Sequence, residues 1–437
     1  MAFNTLKENK YVSRIINNPL FKDSFWAVGG NGLGNALMLL SGIIIARMLG
    51  KDLYGEYGIV KTSMFYLAIF STFSLGDTST KYVAEYLQKD STAIRSIIKS
   101  SFEISLITSS SICFLMIVFA DSLAIFVNTP QLATAFRFIG CVIVFRSLST
   151  VGAGVLGGLK EYKILGRNNV ISGVFMFVLC IPLTYQWGLM GSLFTLLLSQ
   201  CALALINTIS VYNKYKTYPF IEHRGFGKKM VIFSYPFAIN ELLFALSSWG
   251  VNILLAKYAT TGDLGMYTAC SQWNAIILFM PGLLGNVILS YLSTSFVEKS
   301  QNHSRIINRM LLVNFVCTII PFLLVAAFSK YIVGYYGPSF AGMEMVLFIM
   351  IWGTIFICFT RVFQSNLMSE GKKWVAFVIR SSYNVLSVLL VYVVLKWTNG
   401  KDAALNMAYI SLFINFLGFL MYFIAYKYEI RKSCSKY

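Results

Sequence analysis

The chain has 437 residues, of which 57% are hydrophobic and only 12% charged, with a formal net charge of +18. A soluble domain carries roughly 25% charged residues, and half that charge cannot coat a water-soluble globule of this size. The composition excludes a soluble enzyme, a disordered chain and a nucleic-acid-binding domain. The excess of 36 Lys and Arg over 18 Asp and Glu reads as the basic cytoplasmic loops of a membrane protein, with no nucleic-acid partner.

Residues 1–24 carry Lys7, Lys10, Arg14 and Lys22 and lack the apolar core of a signal peptide. Phe3, Leu6, Ile15 and Leu20 suit a segment lying on the inner membrane surface. Beyond it, twelve stretches have the length and apolarity of a membrane span, for which about 20 residues are needed. They cover 25–48, 57–76, 97–120, 132–157, 169–187, 189–212, 231–257, 267–292, 306–329, 341–363, 375–396 and 403–426. Helices are expected throughout, because an open strand in lipid leaves backbone groups unpaired. No connecting loop is long enough for a folded extramembrane domain. One alternate set of segments, which includes both termini, holds 25 Lys and Arg; the other set holds Lys51, Lys330, Lys396 and Lys401. Both termini are therefore expected in the cytoplasm.

The eight cysteines form no CxxC pair, and all but Cys434 lie in apolar runs, as buried small hydrophobes do. His223 and His303 are too few for a metal site. The run "GGNGLG" (29–34) follows no strand and is not a dinucleotide fingerprint; its glycines suit close helix packing. No GxxxxGK[ST] loop occurs, so ATP hydrolysis is not expected; no cofactor is expected either. Pro182, Pro236, Pro281 and Pro321 fall within spans as candidate kinks.

A shift of 210 residues lays "IIARMLGKDLYGEY" (44–57) over "LLAKYATTGDLGMY" (254–267), with Ala46 on Ala256, Arg47 on Lys257, Gly55 on Gly265 and Tyr57 on Tyr267. Six spans separate the copies, so the halves enter the membrane in the same sense. The expected organisation is two parallel six-helix lobes, 1–212 with spans 1–6 and 213–437 with spans 7–12.

The stretch 29–86, with Arg47-Met48-Leu49-Gly50, Tyr54-Gly55, Tyr57, Leu75-Gly76 and Lys81 before "VAEY", resembles the start of the bacterial polysaccharide flippases, the O-antigen and capsule repeat-unit translocases. "YIVGYYGPSFAGMEMVLFIM" (331–350) and "SEGKKW" (369–374) resemble later loops of the same proteins. Multidrug exporters and the peptidoglycan-precursor flippase share this superfamily. The resemblance implies an all-α, multi-pass protein of the cytoplasmic (inner) membrane that serves polysaccharide biosynthesis. It implies an undecaprenyl-pyrophosphate-linked oligosaccharide moved from the inner to the outer leaflet by alternating access. Implied partners are this lipid-linked substrate, membrane lipids, H+ or Na+ as a coupling ion, and a polysaccharide polymerase with its chain-length regulator.

Such a substrate's pyrophosphate and glycan cannot cross hydrocarbon unaided, so cations at membrane depth are the residues to weigh. They are Arg47, Lys61, Arg137, Arg146, Lys257, Arg361 and Arg380. Arg361 and Arg380 lie near the inner ends of spans 10 and 11, where long side chains reach the headgroups. Arg47 and Lys257 do so at the outer ends of spans 1 and 7, and Lys61 and Arg137 lie only slightly deeper. Arg146 lies about 16–21 Å from either end of span 4 and needs a cavity or an acidic partner. Arg146, with Lys61, Arg137, Arg47 and Lys257, forms the candidate substrate-binding set. Glu241, near mid-depth in span 7, shares a polar stripe with Ser248 and Asn252. Glu241 and Asn252 are candidates for ion coupling, while Glu241 is equally suited to neutralise Arg146. Two other readings stand beside the flippase. A cation-coupled multidrug antiporter predicts an acidic, aromatic cavity. A membrane glycosyltransferase or polymerase needs catalytic groups on a sizeable outer loop, where only Asp52, Glu56, Asp121, Asp263 and Asp402 are available.

Overall fold

The structure, a computed structural model, describes residues 19–127, 129–216, 218–219, 225–284, 288, 292 and 303–434. The basic segment before residue 19, His223 and the loop 293–302 lie outside the described residues. Among the described residues all regular structure is helical. In chain order the helices are α1 (Pro19–Thr72), α2 (Leu75–Lys89), α3 (Ile94–Phe126), α4 (Ala133–Gly158), α5 (Tyr162–Tyr215), α6 (Phe226–Tyr258), α7 (Thr261–Ile277), α8 (His303–Ala327), α9 (Ser329–Tyr336), α10 (Met343–Ser369), α11 (Lys373–Trp397) and α12 (Ala403–Cys434). Eight helical stretches among the described residues are long and apolar enough to cross a membrane.

Two of them are double. α1 carries the expected spans 25–48 and 57–76 with a break at Gly50 (φ 73°, ψ 170°), and α5 carries 169–187 and 189–212 with a break at Gly188 (φ 53°, ψ −126°). Each break has positive φ, which glycine enters without steric penalty. Within α5 the non-helical residue is Gly188, not Pro182. The second half of α1 stops at Thr72 rather than 76, because Phe73 and Ser74 adopt φ of 47° and 55°. The chain then resumes as α2, which buries Leu75, Thr78, Ser79 and Val83 and ends with Lys89 paired to Glu85. The stretch expected over 267–292 starts earlier, at Thr261, where the Thr260 hydroxyl accepts from the Asp263 amide.

The membrane leaves its mark on α11. Trp374 and Trp397 stand at its two ends and are 78% and 84% exposed. Twenty-three residues of helix separate them, about 34 Å of rise, which spans the ~30 Å hydrocarbon layer and places each indole at headgroup level.

The chain divides into two compact units. The first comprises Met1–Ser41, Leu67–Asp121 and Ala133–Leu242; the second comprises Gly42–Tyr66, Ser122–Leu132 and Leu243–Tyr437. Compactness thus partitions the chain differently from the sequence repeat, since the second half of α1 is counted with the later helices. The core of the first unit gathers Leu75, Ile94, Ile97, Val151, Val155, Leu156 and Met230. Gly30 supports close packing here: a Cβ on it would lie 2.5 Å from the Gly166 Cα. The core of the second unit gathers Ile307, Val362, Phe363, Leu367, Ala376 and Tyr422.

Inside the second unit, α1 crosses α7 at the residues that the 210-residue shift pairs. A Cβ on Gly55 would overlap the Thr261 carbonyl and lie 3.1 Å from the Gly265 nitrogen; a Cβ on Gly265 would overlap the Lys51 carbonyl and lie 3.1 Å from the Gly55 nitrogen. Lys51 and Thr261 are themselves 210 apart, so the contact is reciprocal, as at a two-fold axis. Gly58 meets its own counterpart, Thr268, in the same way, a Cβ there lying 2.5 Å from the threonine hydroxyl. The motif tyrosines lock the crossing. Tyr54 and Tyr57 are fully buried with ring centroids 5.6 Å apart, and the Tyr54 hydroxyl accepts from the Gln272 amide. The "RMLG…YGEY" pattern therefore builds a turn and a helix crossing.

Gly55→Ala and Gly265→Ala should each destabilise the detergent-solubilised protein by at least the ~1–3 kcal/mol that an extra methylene costs in a packed interior, read as a lower thermal midpoint. Gly29→Ala, which meets nothing within 4 Å, should leave it unchanged or slightly raised. Unaltered melting of both crossing variants would contradict the close approach.

Candidate functional site

Three helices of the second unit each carry a polar stripe at helical spacing, and the stripes converge. α10 presents Thr360, Arg361 and Gln364; α11 presents Arg380, Tyr383, Asn384 and Ser387; α12 presents Ser411, Asn415 and Gly418. Together with Phe244 and Leu278 they line a cavity of about 410 Å³. Residues three, four and seven apart share one helix face, so a polar stripe on an otherwise apolar span leaves the opposite face for lipid. Arg380 lies over the Phe244 ring, 4.7 Å from its centroid, a geometry in which the ring face attracts the cation. Gly282 makes room for the other guanidinium: a Cβ there would be 3.2 Å from Arg361 Nη1. Among the described residues, this lining holds two guanidinium groups and no carboxylate.

A second chamber, of about 130 Å³, adjoins the first, and Asn384, Ser387 and Ser411 line both. Its other polar residues are Tyr66, Ser247, Ser248, Asn252 and Tyr267. Tyr66 reaches it from the second half of α1, which the Trp249 indole ties to α6 by donating to the Ser63 hydroxyl at 3.1 Å. Tyr66 lies beside Ser248 and Tyr267 beside Ser411. Asn252 donates to the Ser248 carbonyl at 2.8 Å; of the stripe read on span 7, Ser248 and Asn252 line this chamber and Glu241 lines neither.

Arg361 and Arg380, which the sequence places near the span ends within reach of the headgroups, line the larger cavity in the structure. α10 runs to Ser369 and α11 begins at Lys373, so the helices extend past the apolar limits of 363 and 375. Arg361 lies eight residues and Arg380 seven residues inside those ends, about 12 and 10 Å of helix. Apolarity fades early because Gln364, Ser365 and Asn366 are polar yet helical. The readable signal was periodic: Arg380, Asn384 and Ser387 on one face of span 11, and Thr360, Arg361 and Gln364 on one face of span 10.

The five cations of the candidate substrate-binding set lie elsewhere. In the first unit Arg146, the fourteenth residue of the 26 in α4, donates to the Gln200 amide oxygen at 3.4 Å. It sits in a polar interior where Ser105 and Ser147 bond at 2.8 Å and Asn168 donates to Asn207 at 2.9 Å. Arg137 is ion-paired to Asp121 at 2.6 Å, both side chains being well exposed. Glu241 is close enough to Asp77 for the two carboxylates to act on one another. In the second unit Lys61 lies beside the Tyr57 ring and Lys257 over the Phe126 ring, 5.6 and 4.6 Å from the centroids. Arg47 is exposed, its chain passing Gly337. None of these five lines either chamber.

Comparison with known proteins bears on this architecture. Residues 20–296 match the family model described as polysaccharide biosynthesis protein. No curated protein matches the chain. Among solved structures, the chain resembles a multidrug resistance MATE family transporter of the MOP superfamily in an inward-facing conformation, with a TM-score of 0.79, 16% identity, and coverage of 92% of this chain and 96% of that one. It also resembles a MOP superfamily transporter from Pyrococcus furiosus, described as having a binding pocket of reverse polarity, with a TM-score of 0.66, 15% identity, and coverage of 93% and 96%. A MATE structure in the bent conformation gives a TM-score of 0.64 at 13% identity over 98% and 99% of the two chains. The match over residues 20–296 and the shared helical architecture make this chain a member of the polysaccharide biosynthesis protein family, a multi-pass membrane protein with the fold of the MOP superfamily transporters.

Proposed function

We propose that the protein is a flippase that moves an undecaprenyl-pyrophosphate-linked oligosaccharide from the inner to the outer leaflet of the cytoplasmic membrane by alternating access. On this reading residues 1–212 and 213–437 are the two repeat lobes, both termini are cytoplasmic, and the protein is a transporter rather than an enzyme. The observation that carries it is the cavity lined by Arg361 and Arg380. Burying a cation within a membrane helix is expensive and is sustained where the cation has a task. A pyrophosphate diester carries two negative charges, and guanidinium forks match phosphate oxygens bidentately. The amides and hydroxyls around them suit a glycan, while the prenyl tail needs no cavity because lipid receives it. A multidrug antiporter for organic cations is less well served, since two guanidinium groups repel such a ligand.

Arg146 and, with it, Lys61, Arg137, Arg47 and Lys257 remain proposed contacts of the anionic head group along its route, with Glu241 and Asn252 as proposed coupling residues for H+ or Na+. A polymerase and a chain-length regulator are the proposed downstream partners.

Three measurements test the reading. Arg361→Gln with Arg380→Gln should weaken binding of inorganic pyrophosphate to the purified protein by about 10- to 100-fold, the loss of one to two charged hydrogen bonds; calorimetry showing unchanged affinity would refute the cavity's role. Arg146→Ala, expressed at wild-type level in a strain lacking its own flippase, should abolish surface glycan; normal glycan would remove Arg146 from the route. Glu241→Gln should flatten the pH or sodium dependence of transport in proteoliposomes, and an unchanged dependence would exclude it as the coupling group.

A further inference from the structure

The two chambers of the second unit share a wall but differ in chemistry. The larger is cationic through Arg361 and Arg380. The smaller is neutral, its polar groups being the hydroxyls of Tyr66, Ser247, Ser248, Tyr267, Ser387 and Ser411 and the amides of Asn252 and Asn384. Hydroxyls and amides both donate and accept, which suits a ligand that presents many hydroxyls and no charge. Size narrows the choice. The smaller chamber's 130 Å³ falls below the ~300–1,000 Å³ that encloses a drug-sized ligand, so it takes one ring and not a chain of rings. Position narrows it further. Asn384, on the shared wall, is one turn from Arg380 on α11, so an anion on the guanidinium groups puts the atoms bonded to it at the mouth of the neutral chamber.

Resting on the flippase reading above, we infer that the smaller chamber is a subsite for the single sugar ring bonded directly to the pyrophosphate, and that Ser248 and Asn252 help select that sugar. The remaining sugars stay outside this chamber. Two further features fit. Tyr66 lies beside Ser248 and Tyr267 beside Ser411, so the hydroxyls are clustered in one wall before a ligand arrives, which limits the ordering cost of binding. Asn252 and Ser248 are likewise joined along α6. A site built to bond ligand hydroxyls rejects analogues that lack or misplace them, because its own buried polar groups are then left unpaired.

The test uses the full chain in nanodiscs and two kinds of probe: farnesyl diphosphate, and farnesyl diphosphate bearing glucose, galactose or N-acetylglucosamine. In the wild type, at least one sugar-bearing probe should bind about tenfold or more tightly than the bare diphosphate, the worth of one or two good hydrogen bonds. In Asn252→Leu, and separately in Ser248→Val, that ratio should fall toward one and the discrimination among the three sugars should shrink. Two variants of near-native size are used so that misfolding of one, seen as lost thermal cooperativity, leaves the other to decide. Tight binding of the bare diphosphate with no gain from any sugar would overturn the subsite while leaving the flippase reading intact, as would a ratio that survives both substitutions. Failure of the wild type to bind any of these probes would overturn the flippase reading and the subsite together.

Discussion

Hydrocarbon offers a polar group no partner, and the arrangement of this protein follows from that. Backbone amides are paired within helices, and polar side chains are turned away from lipid and toward other helices. The result is visible on single helices. α12 directs Ser411 and Asn415 into the cationic cavity while Phe413 and Phe416, on its other side, are largely exposed. α11 directs Arg380 and Asn384 inward and leaves Val378, Val385 and Leu389 exposed. In a soluble protein exposed valines and leucines of this number would be a liability; here they are the lipid-facing surface, and the cavity is where polarity collects.

Helices with large side chains pack at 8–10 Å between axes; closer approach needs small residues, and where a Cβ would overlap the facing backbone only glycine fits. The crossing of α1 and α7 at Gly55 and Gly265 is such a place. Its reciprocity, with Gly55 against Thr261 and Gly265 against Lys51, gives the weak sequence repeat a physical meaning: the positions that match across 210 residues are those that meet each other. It also gives the second half of α1 its place among the later helices, where it delivers Tyr66 to the neutral chamber.

The cationic cavity and the polar interior around Arg146 use charge differently. Arg146 meets a neutral amide, Gln200, amid serines and asparagines in the first unit. Arg361 and Arg380 line one cavity, where their like charges act on one another. On the flippase reading, two cations in one cavity suit a doubly charged head group better than one cation in a hydrogen-bonded setting.

Membrane insertion, the all-helical class, the approximate spans, the repeat and the family resemblance were all legible in the sequence, because each depends on local apolarity or on residues close together in the chain. Depth on a single helix was legible too, which is how Arg146 and the Ser248–Asn252 stripe stood out. Convergence was not. Whether Arg361 and Arg380 reach headgroups or a cavity depends on which faces of α10, α11, α12 and α6 turn toward one another, and helix rotation is set by packing between segments far apart in sequence. The same holds for the Asp121 partner of Arg137, for the positive-φ breaks that join spans into α1 and α5, and for the allegiance of the second half of α1. Local composition determined what this chain is made of and where it resides; only contacts between distant helices decided which of its charges share a site.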